Sequence, residues 1–99
     1  MTPAGKAARV GETDCLETLI EYGANVNSID ANGNTPLHHA VNFNRKDCVR
    51  LLLLQTDIDL NKKNNEGKTA MDVAKKEDLI LLIKTIQDAE NIRRKDVKG

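Results

Sequence analysis

The 99-residue sequence is poor in aromatic residues, in cysteine and in charge of one sign. It has one Phe, one Tyr and no Trp, so it lacks the large rings that stack on bases, sugars or flat cofactors. Its two cysteines are too few for a disulfide scaffold. Lys+Arg 15 balance Asp+Glu 15, which argues against a dedicated binder of nucleic acid or of membrane surfaces.

Long apolar runs are also absent. No stretch approaches the roughly 20 residues that cross a bilayer, and the opening segment, MTPAGKAARVGETD, contains no apolar signal core. We therefore expect an intracellular protein, in the cytoplasm or nucleus, that does not contact membranes. A chain of this length forms one domain at most and has no room for a catalytic domain beside a second domain.

The sequence does contain a repeat of about 33 residues. At an offset of 33, Thr2 aligns with Thr35 and Cys15 with Cys48. A repeat of this kind indicates similar units that stack because none of them can bury its apolar face alone.

Each unit has the pattern of two helices followed by a loop. In the middle unit Thr35 is a suitable N-cap and Pro36 suits the first helical position. The apolar spacing that follows predicts one buried face. A second, mostly apolar helix is predicted over 46–55. Gly33 and Gly67 lie in the loops, where we expect both to adopt positive φ.

Segment 32–40, NGNTPLHHA, resembles the ankyrin-repeat signature G-x-T-P-L-H-x-A, and segment 67–74, GKTAMDVA, resembles the form often seen in a last repeat. The resemblance implies an all-α fold, an ankyrin-repeat solenoid of stacked helix-turn-helix units with short hairpin loops. The first unit lacks its leading hairpin, and the third has Asp78 where Gly is usual. The predicted divisions are repeat 1 (2–28), repeat 2 (29–62), repeat 3 (63–87) and a C-terminal tail (88–99).

The titratable and thiol side chains have structural interpretations. In the resembled family the residue equivalent to His38 bonds within its turn and to the adjacent unit. Neighbours on a helix point about 100° apart, so His38 and His39 do not easily share a metal, and we expect no metal or cofactor. Cys15 and Cys48 hold equivalent places on second helices, where both are expected to be buried. Stacked repeats lie about 10 Å apart, too far for a disulfide.

No constellation typical of catalysis is present in the sequence. The carboxylates are scattered, without a base or oxyanion donor beside them, and P-loop, GxGxxG and GxSxG motifs are absent. We therefore predict that the chain is not an enzyme but a module that binds another protein. The alternative is an accessory ankyrin region of a larger regulatory enzyme, such as an ArfGAP-type GTPase-activating protein.

The resemblance also implies a partner-binding surface, built from hairpin tips and exposed positions of the first helices. Phe43 is the sharpest candidate, because a lone aromatic without a core role can supply an apolar anchor. The alternative is that Phe43 only covers a neighbouring helix. Lysines of the third unit could face an acidic groove on the partner, although a solvated surface is the simpler interpretation. The candidates are Arg9, Val10, Ile29, Ala31, Asn32, Asn34, Asn42, Phe43, Lys63, Asn65, Glu66, Lys68, Lys76 and Glu77.

The last predicted helix carries an apolar excess. When the helix is aligned with the resembled family, Leu82, Ile83 and Ile86 face inward. Ile80 and Leu81 are then left without cover. Exposed apolar patches usually mark contacts, so Ile80 and Leu81 are a candidate second contact. Three alternatives would cover them: the tail folding back, a second copy docking to give a homo-oligomer, or a neighbouring segment of a longer chain.

Overall fold

The helices of the protein form a stack of three pairs. The computed structural model describes residues 2–74 and 77–85, and these residues form six helices and no strand. α1 packs against α2 and α3, α3 packs against α4 and α5, and α2 packs against α4. This arrangement confirms the predicted all-α solenoid. The pairs, called here the first, second and third units, are α1 (Pro3–Val10) with α2 (Thr13–Glu21), α3 (Pro36–Asn42) with α4 (Lys46–Leu53), and α5 (Ala70–Val73) with α6 (77–85).

The first helix of each unit begins after an equivalent threonine. Thr2, Thr35 and Thr69 have extended backbones, and each Oγ1 accepts the backbone amide three residues ahead, at 3.0, 3.2 and 3.2 Å. Pro3 and Pro36 occupy the first helical turn, where a missing N–H costs nothing. The N-cap and the proline position predicted for the middle unit are confirmed.

The turns between paired helices differ along the stack. Gly11 (φ 82°) and Asn44 (φ 58°) adopt the left-handed conformation that ends the first helix of their units and lets the chain reverse. Asp78 aligns with these two residues but lies inside α6. Within the described residues α6 already includes residue 77, which lies about one turn before the position that aligns with the start of α4. The first helix is correspondingly short, at 4 residues.

A continuous apolar seam runs through the stack. The side chains that α1 buries are small, whereas α3 and α4 also bury branched ones such as Leu37 and Leu52. The third unit closes the seam from α6. The seam contains Ala4, Ala7, Ala8, Leu16, Val26, Leu37, Ala40, Val41, Cys48, Val49, Leu52, Leu53, Ala70, Leu79 and Ile83.

Asn27 ties the loop after α2 to the loop after α4. Its side-chain Nδ2 donates to the carbonyl of Asp57 at 2.7 Å, and its Oδ1 accepts the amide of Asp59, also at 2.7 Å. Because one amide side chain satisfies both a backbone carbonyl and a backbone amide, the two loops are held in a fixed relative position.

Two expectations about the second helices of the first two units were wrong. Cys48 is fully buried, with its Sγ 3.6 Å from Thr13 Oγ1, but Cys15 is exposed. The equivalent face of the first unit is covered by no described residue, so its cysteine meets solvent. Helix α4 ends at Leu53, not at residue 55, because the amide of Gln55 turns back to the carbonyl of Leu52.

The inward face of α6 also differs from the alignment. Leu79 is fully buried and Ile83 nearly so, whereas Leu82 and Ile80 are half-buried and Leu81 is 62% exposed. Leu79 reaches the seam because α6 starts early, which the alignment did not anticipate. Ile86 and the predicted tail, residues 88–99, lie outside the described residues.

Candidate protein-binding surface

The loops that lead into α3 and α5 form two tight hairpin turns, 30–34 and 64–68. In each turn the first side chain accepts two backbone amides: Asp30 Oδ1 at 2.9 and 3.0 Å, and Asn64 Oδ1 at 2.9 and 3.1 Å. Gly33 (φ 78°) and Gly67 (φ 77°) supply the left-handed positions, as predicted. Both turns are therefore fixed by local hydrogen bonds.

The two hairpin turns are stacked on each other. Asn65 donates its backbone amide to the carbonyl of Asn32 at 2.9 Å and its side-chain Nδ2 to the carbonyl of Ala31 at 3.0 Å. Asn64 Nδ2 donates to Asn34 Oδ1 at 2.9 Å. The candidates Asn34 and Asn65 therefore have structural roles that sequence reasoning did not assign to them.

His38 joins the second unit to the third. Its Nε2 lies 2.8 Å from the carbonyl oxygen of Lys68 and its Nδ1 lies 2.8 Å from Thr35 Oγ1. A carbonyl can only accept, so Nε2 carries a proton and Nδ1 accepts the threonine hydroxyl. This is the structural role that the resemblance implied.

His39 has a partner that sequence reasoning missed. Its Nε2 lies 2.8 Å from Asp30 Oδ2, and the two side chains are only 9% and 8% exposed. Burial raises the pKa of Asp30, but hydrogen bonds from the Asn34 amide, the His39 ring and the Asn32 amide outweigh it and hold that pKa below its ordinary value of 3.8. Residue spacing offered no clue to this pair, because a nine-residue separation matches neither helical nor strand spacing.

An arginine–phenylalanine cluster, here Arg9, Val10, Phe43 and Arg45, lies at the opposite end of the first helices from the hairpin turns. Phe43 follows α3 as its C-cap and is 41% exposed. Val10, which aligns with Phe43 in the first unit, is the last residue of α1 and is 44% exposed. The Arg9 guanidinium carbon lies 5.2 Å from the centroid of the Phe43 ring, within cation–π distance. Arg45 Nε donates to the carbonyl of Arg9 at 3.0 Å.

Arg45 was not among the sequence candidates. Its side chain crosses Gly11, where an added Cβ would lie 2.9 Å from Arg45 Cδ. The glycine is thus needed both for its positive φ and to let the arginine lie across the turn of the first unit. Only the stacking of the two units reveals this contact, since the residues are 34 positions apart.

Several charged side chains lie on the surface around the start of α5 and α6 in the third unit. Hydrogen bonds from the Thr69 amide and hydroxyl lower the pKa of Asp72, and the nearby charges of Lys63 and Lys68 lower it further. Lys46 Nζ forms an exposed ion pair with Asp78 at 3.2 Å. Asp72 and Asp78 therefore each have positive charge nearby.

The described candidates lie mostly on the surface. All are exposed except Asn34 and Ile80, which are half-buried, and Lys76 lies outside the described residues. A polar groove of about 260 Å³ lies between α3, α5 and the second hairpin turn. Four of the candidates line this groove together with His38 and Asp72. The four are Asn34, Asn42, Glu66 and Lys68.

The described residues also bear on metal and membrane-spanning sites. In 2–74 and 77–85 no group of three or more His, Cys, Asp or Glu side chains is placed to hold a metal ion. No helix in these ranges is both long and apolar enough to span a bilayer.

Comparison with known proteins decides the family. The family model for ankyrin repeats (3 copies) matches residues 4–96. The chain belongs to the ankyrin-repeat family. This ankyrin-repeat protein is 40% identical to human Rabankyrin-5 over 68 residues, which is 69% of this chain and 6% of the relative. It is 36% identical to rat Protein phosphatase 1 regulatory subunit 12A over 86 residues, 87% of this chain and 8% of the relative.

Relatives of different kinds share the repeats. Fission yeast Glycerophosphocholine phosphodiesterase gde1 is 51% identical over 45 residues, which is 44% of this chain and 4% of the relative. The chain thus spans less than a tenth of the length of these three curated relatives. Membership of the family accounts for the fold and for the general role of such repeats as protein-interaction modules.

Proposed function

We propose that this chain is a non-catalytic module that binds another protein through its hairpin turns and first helices. The exposure of Phe43 carries the proposal. A half-exposed aromatic ring ends α3 without entering the apolar seam, and exposed Val10 repeats its position in the first unit. Two apolar side chains on one row of the stack form the kind of anchor that dominates protein interfaces.

Rigidity of the surrounding backbone supports the same function. The hairpin turns are bonded to each other through Asn64 and Asn65, and His38 joins α3 to the second turn. Side chains on a fixed backbone lose less conformational entropy on binding than those on mobile loops. The proposed contact residues are the predicted candidates, with Phe43 and Val10 as apolar anchors and the hairpin tips as polar surroundings.

A matched pair of truncations tests the proposal. Three baits are compared by affinity purification: the native chain, the Phe43→Ala variant and the Leu54→Ala variant. The captured protein is then titrated against each of the three baits by calorimetry. Leu54 is 71% exposed at the end of α4, away from the proposed surface, and so controls for loss of exposed apolar area.

We expect Phe43→Ala to weaken binding by roughly 2 kcal/mol, since central aromatic anchors contribute on that scale. Leu54→Ala should bind as the native chain does, and both variants should melt within a few degrees of it. A large stability loss with unchanged binding for Phe43→Ala would show that the ring only covers its neighbour.

A second candidate function is that of an accessory region in a larger regulatory enzyme, such as an ArfGAP-type GTPase-activating protein. The lengths and names of the relatives favour this class in general: one is a regulatory subunit of a phosphatase and another a phosphodiesterase, each far longer than this chain. Sequencing the full transcript tests it, because a catalytic domain in the same reading frame would support it and a stop codon directly after the repeats would contradict it.

Two further assignments belong to this proposal. An intracellular location, in the cytoplasm or nucleus, fits the free and exposed thiol of Cys15, which a reducing compartment would preserve. Self-association through Ile80 and Leu81 of α6 is the proposed second contact, since Leu81 is 62% exposed. Sedimentation velocity across concentration tests the second assignment, and a constant monomeric mass would contradict it.

A further inference from the structure

The guanidinium groups of the arginine–phenylalanine cluster are held in place before any partner arrives. The Phe43 ring supports one face of the Arg9 guanidinium, and the Nε–H of Arg45 is fixed on the carbonyl of Arg9. No hydrogen bond within 2–74 and 77–85 uses the Arg9 guanidinium or the terminal nitrogens of Arg45. Each arginine therefore presents donors of the forked kind that match a carboxylate.

No ion pair among the described residues neutralises either arginine of this cluster. The ion pairs formed among the described residues involve His39, Lys46 and Arg50, and none involves Arg9 or Arg45. Glu12, which aligns with Arg45 in the first unit, forms no ion pair with either arginine in this part of the chain. The Arg9 guanidinium lies over an exposed aromatic ring, and Arg45 is bonded to the backbone of Arg9, so the surface there is both cationic and apolar.

The lysines of the third unit lack this property. Lys63 and Lys68 lie in the field of Asp72, whose pKa they help to lower, and Glu66 shares the same hairpin turn. A partner carboxylate approaching them would meet two carboxylates as well as two ammonium groups. Recognition of acidic groups is therefore favoured at the junction of the first and second units, rather than at the lysines that sequence reasoning singled out.

We propose that the arginine–phenylalanine cluster binds an acidic segment of the partner, in which Asp or Glu side chains adjoin an apolar side chain. The carboxylates pair with Arg9 and Arg45, and the apolar side chain packs on Phe43 and Val10. Complementary charge and shared apolar contact select this chemistry over basic or purely polar segments. The inference rests on the proposed function and names the partner chemistry that the site accepts.

A displayed library of random peptides, selected on the whole chain, tests the inference. Enriched peptides should combine acidic residues with an apolar one. In fluorescence anisotropy their affinity should fall roughly tenfold in Arg9→Gln, the loss expected for one well-placed charge pair. Arg9→Lys should recover only part of the loss, because an ammonium cannot form the planar fork. Affinity should also fall as salt is raised.

The control is the double variant Lys6→Gln with Arg50→Gln, which removes exposed positive charge from α1 and α4 outside the cluster. It should bind the selected peptides as the native chain does. Binders without acidic enrichment, acidic binders equally weakened by the control, or no binders at all would each overturn the inference.

Further outcomes separate this inference from the proposed function. Peptides that lack acidic residues but lose affinity in Phe43→Ala would overturn the inference and leave the binding surface standing. Peptides indifferent to both Phe43→Ala and Arg9→Gln would count against both. Self-association abolished by Arg9→Gln in sedimentation would show that a second copy, through exposed acids of α2 such as Glu17, occupies the site, and would overturn the choice of a separate partner.

Discussion

The second and third units begin with the same local design but receive different support from their neighbours. α3 lies between α1 and α5, and the second hairpin turn packs directly against Gly33. At Gly67, by contrast, an added Cβ would meet no atom of the described residues within 4 Å. Both turns nevertheless have the same shape. The turn conformation is therefore local, whereas the energetic importance of a turn residue depends on what is stacked upon it.

A second difference lies at the start of each hairpin turn. The second unit has Asp30 with His39 as its buried partner, while the third has Asn64 and, at the place aligned with His39, Val73. A buried carboxylate is tolerated where a donor faces it, and a neutral amide takes its place where the facing residue is apolar. Each unit is thus internally consistent although the residues differ.

The largest expected effect separates the two glycines. Gly33→Ala should cost about 3 kcal/mol in the free energy of unfolding, because alanine is strained at positive φ and its Cβ would lie 2.6 Å from Asn65 Oδ1 and 2.8 Å from the Asn65 amide. Gly67→Ala should lower the free energy of unfolding by only about 1 kcal/mol, which is the strain of alanine at positive φ. Urea denaturation of both variants measures the two losses in the free energy of unfolding. Equal losses would show that the residues stacked on Gly33 do not add to the cost of its substitution.

The Asp30–His39 pair supplies the next effect. Asp30→Asn should destabilise the protein by about 2 kcal/mol at neutral pH, because His39 loses a charged acceptor in a buried site. The folded pKa of Asp30 is below its ordinary value of 3.8, so its stabilisation is present above that pH and is lost as the pH falls through the folded pKa. The gap between the native chain and Asp30→Asn should therefore narrow in acid.

Chemical denaturation from neutral pH to below pH 3.8 follows this gap. The matched control is Asn64→Asp, which places a carboxylate at the equivalent site without a histidine and removes the donor to Asn34. It should destabilise the protein by about 1 kcal/mol at neutral pH. A stabilising effect of Asn64→Asp would show that the hairpin accepts a carboxylate without help from His39.

The smallest effects concern the turns between paired helices. Asn44→Gly should stabilise the protein by about 0.5 kcal/mol, because glycine adopts the observed φ of 58° without strain. Asp78→Gly should instead cost about 1 kcal/mol, since residue 78 is helical and glycine is a poor helix former. Thermal melting shows whether each variant is more or less stable than the native chain. Stabilisation by Asp78→Gly would mean that the third unit favours the same reversal as the other two.

The ankyrin resemblance implied the structural role of His38. The residue pattern alone predicted the helix pairs, their capping threonines and the left-handed glycines of the hairpin turns. These features are local or recur at the repeat offset, so spacing and residue type suffice to predict them. Four further features depend on the tertiary structure. They are the Asp30–His39 bond, the early start of α6, the exposure of Cys15 beside the burial of Cys48, and the packing of Arg9 on Phe43. Each depends on which surfaces meet when the units stack, and equivalent positions in a repeat stop being equivalent where one has a neighbour that the other lacks.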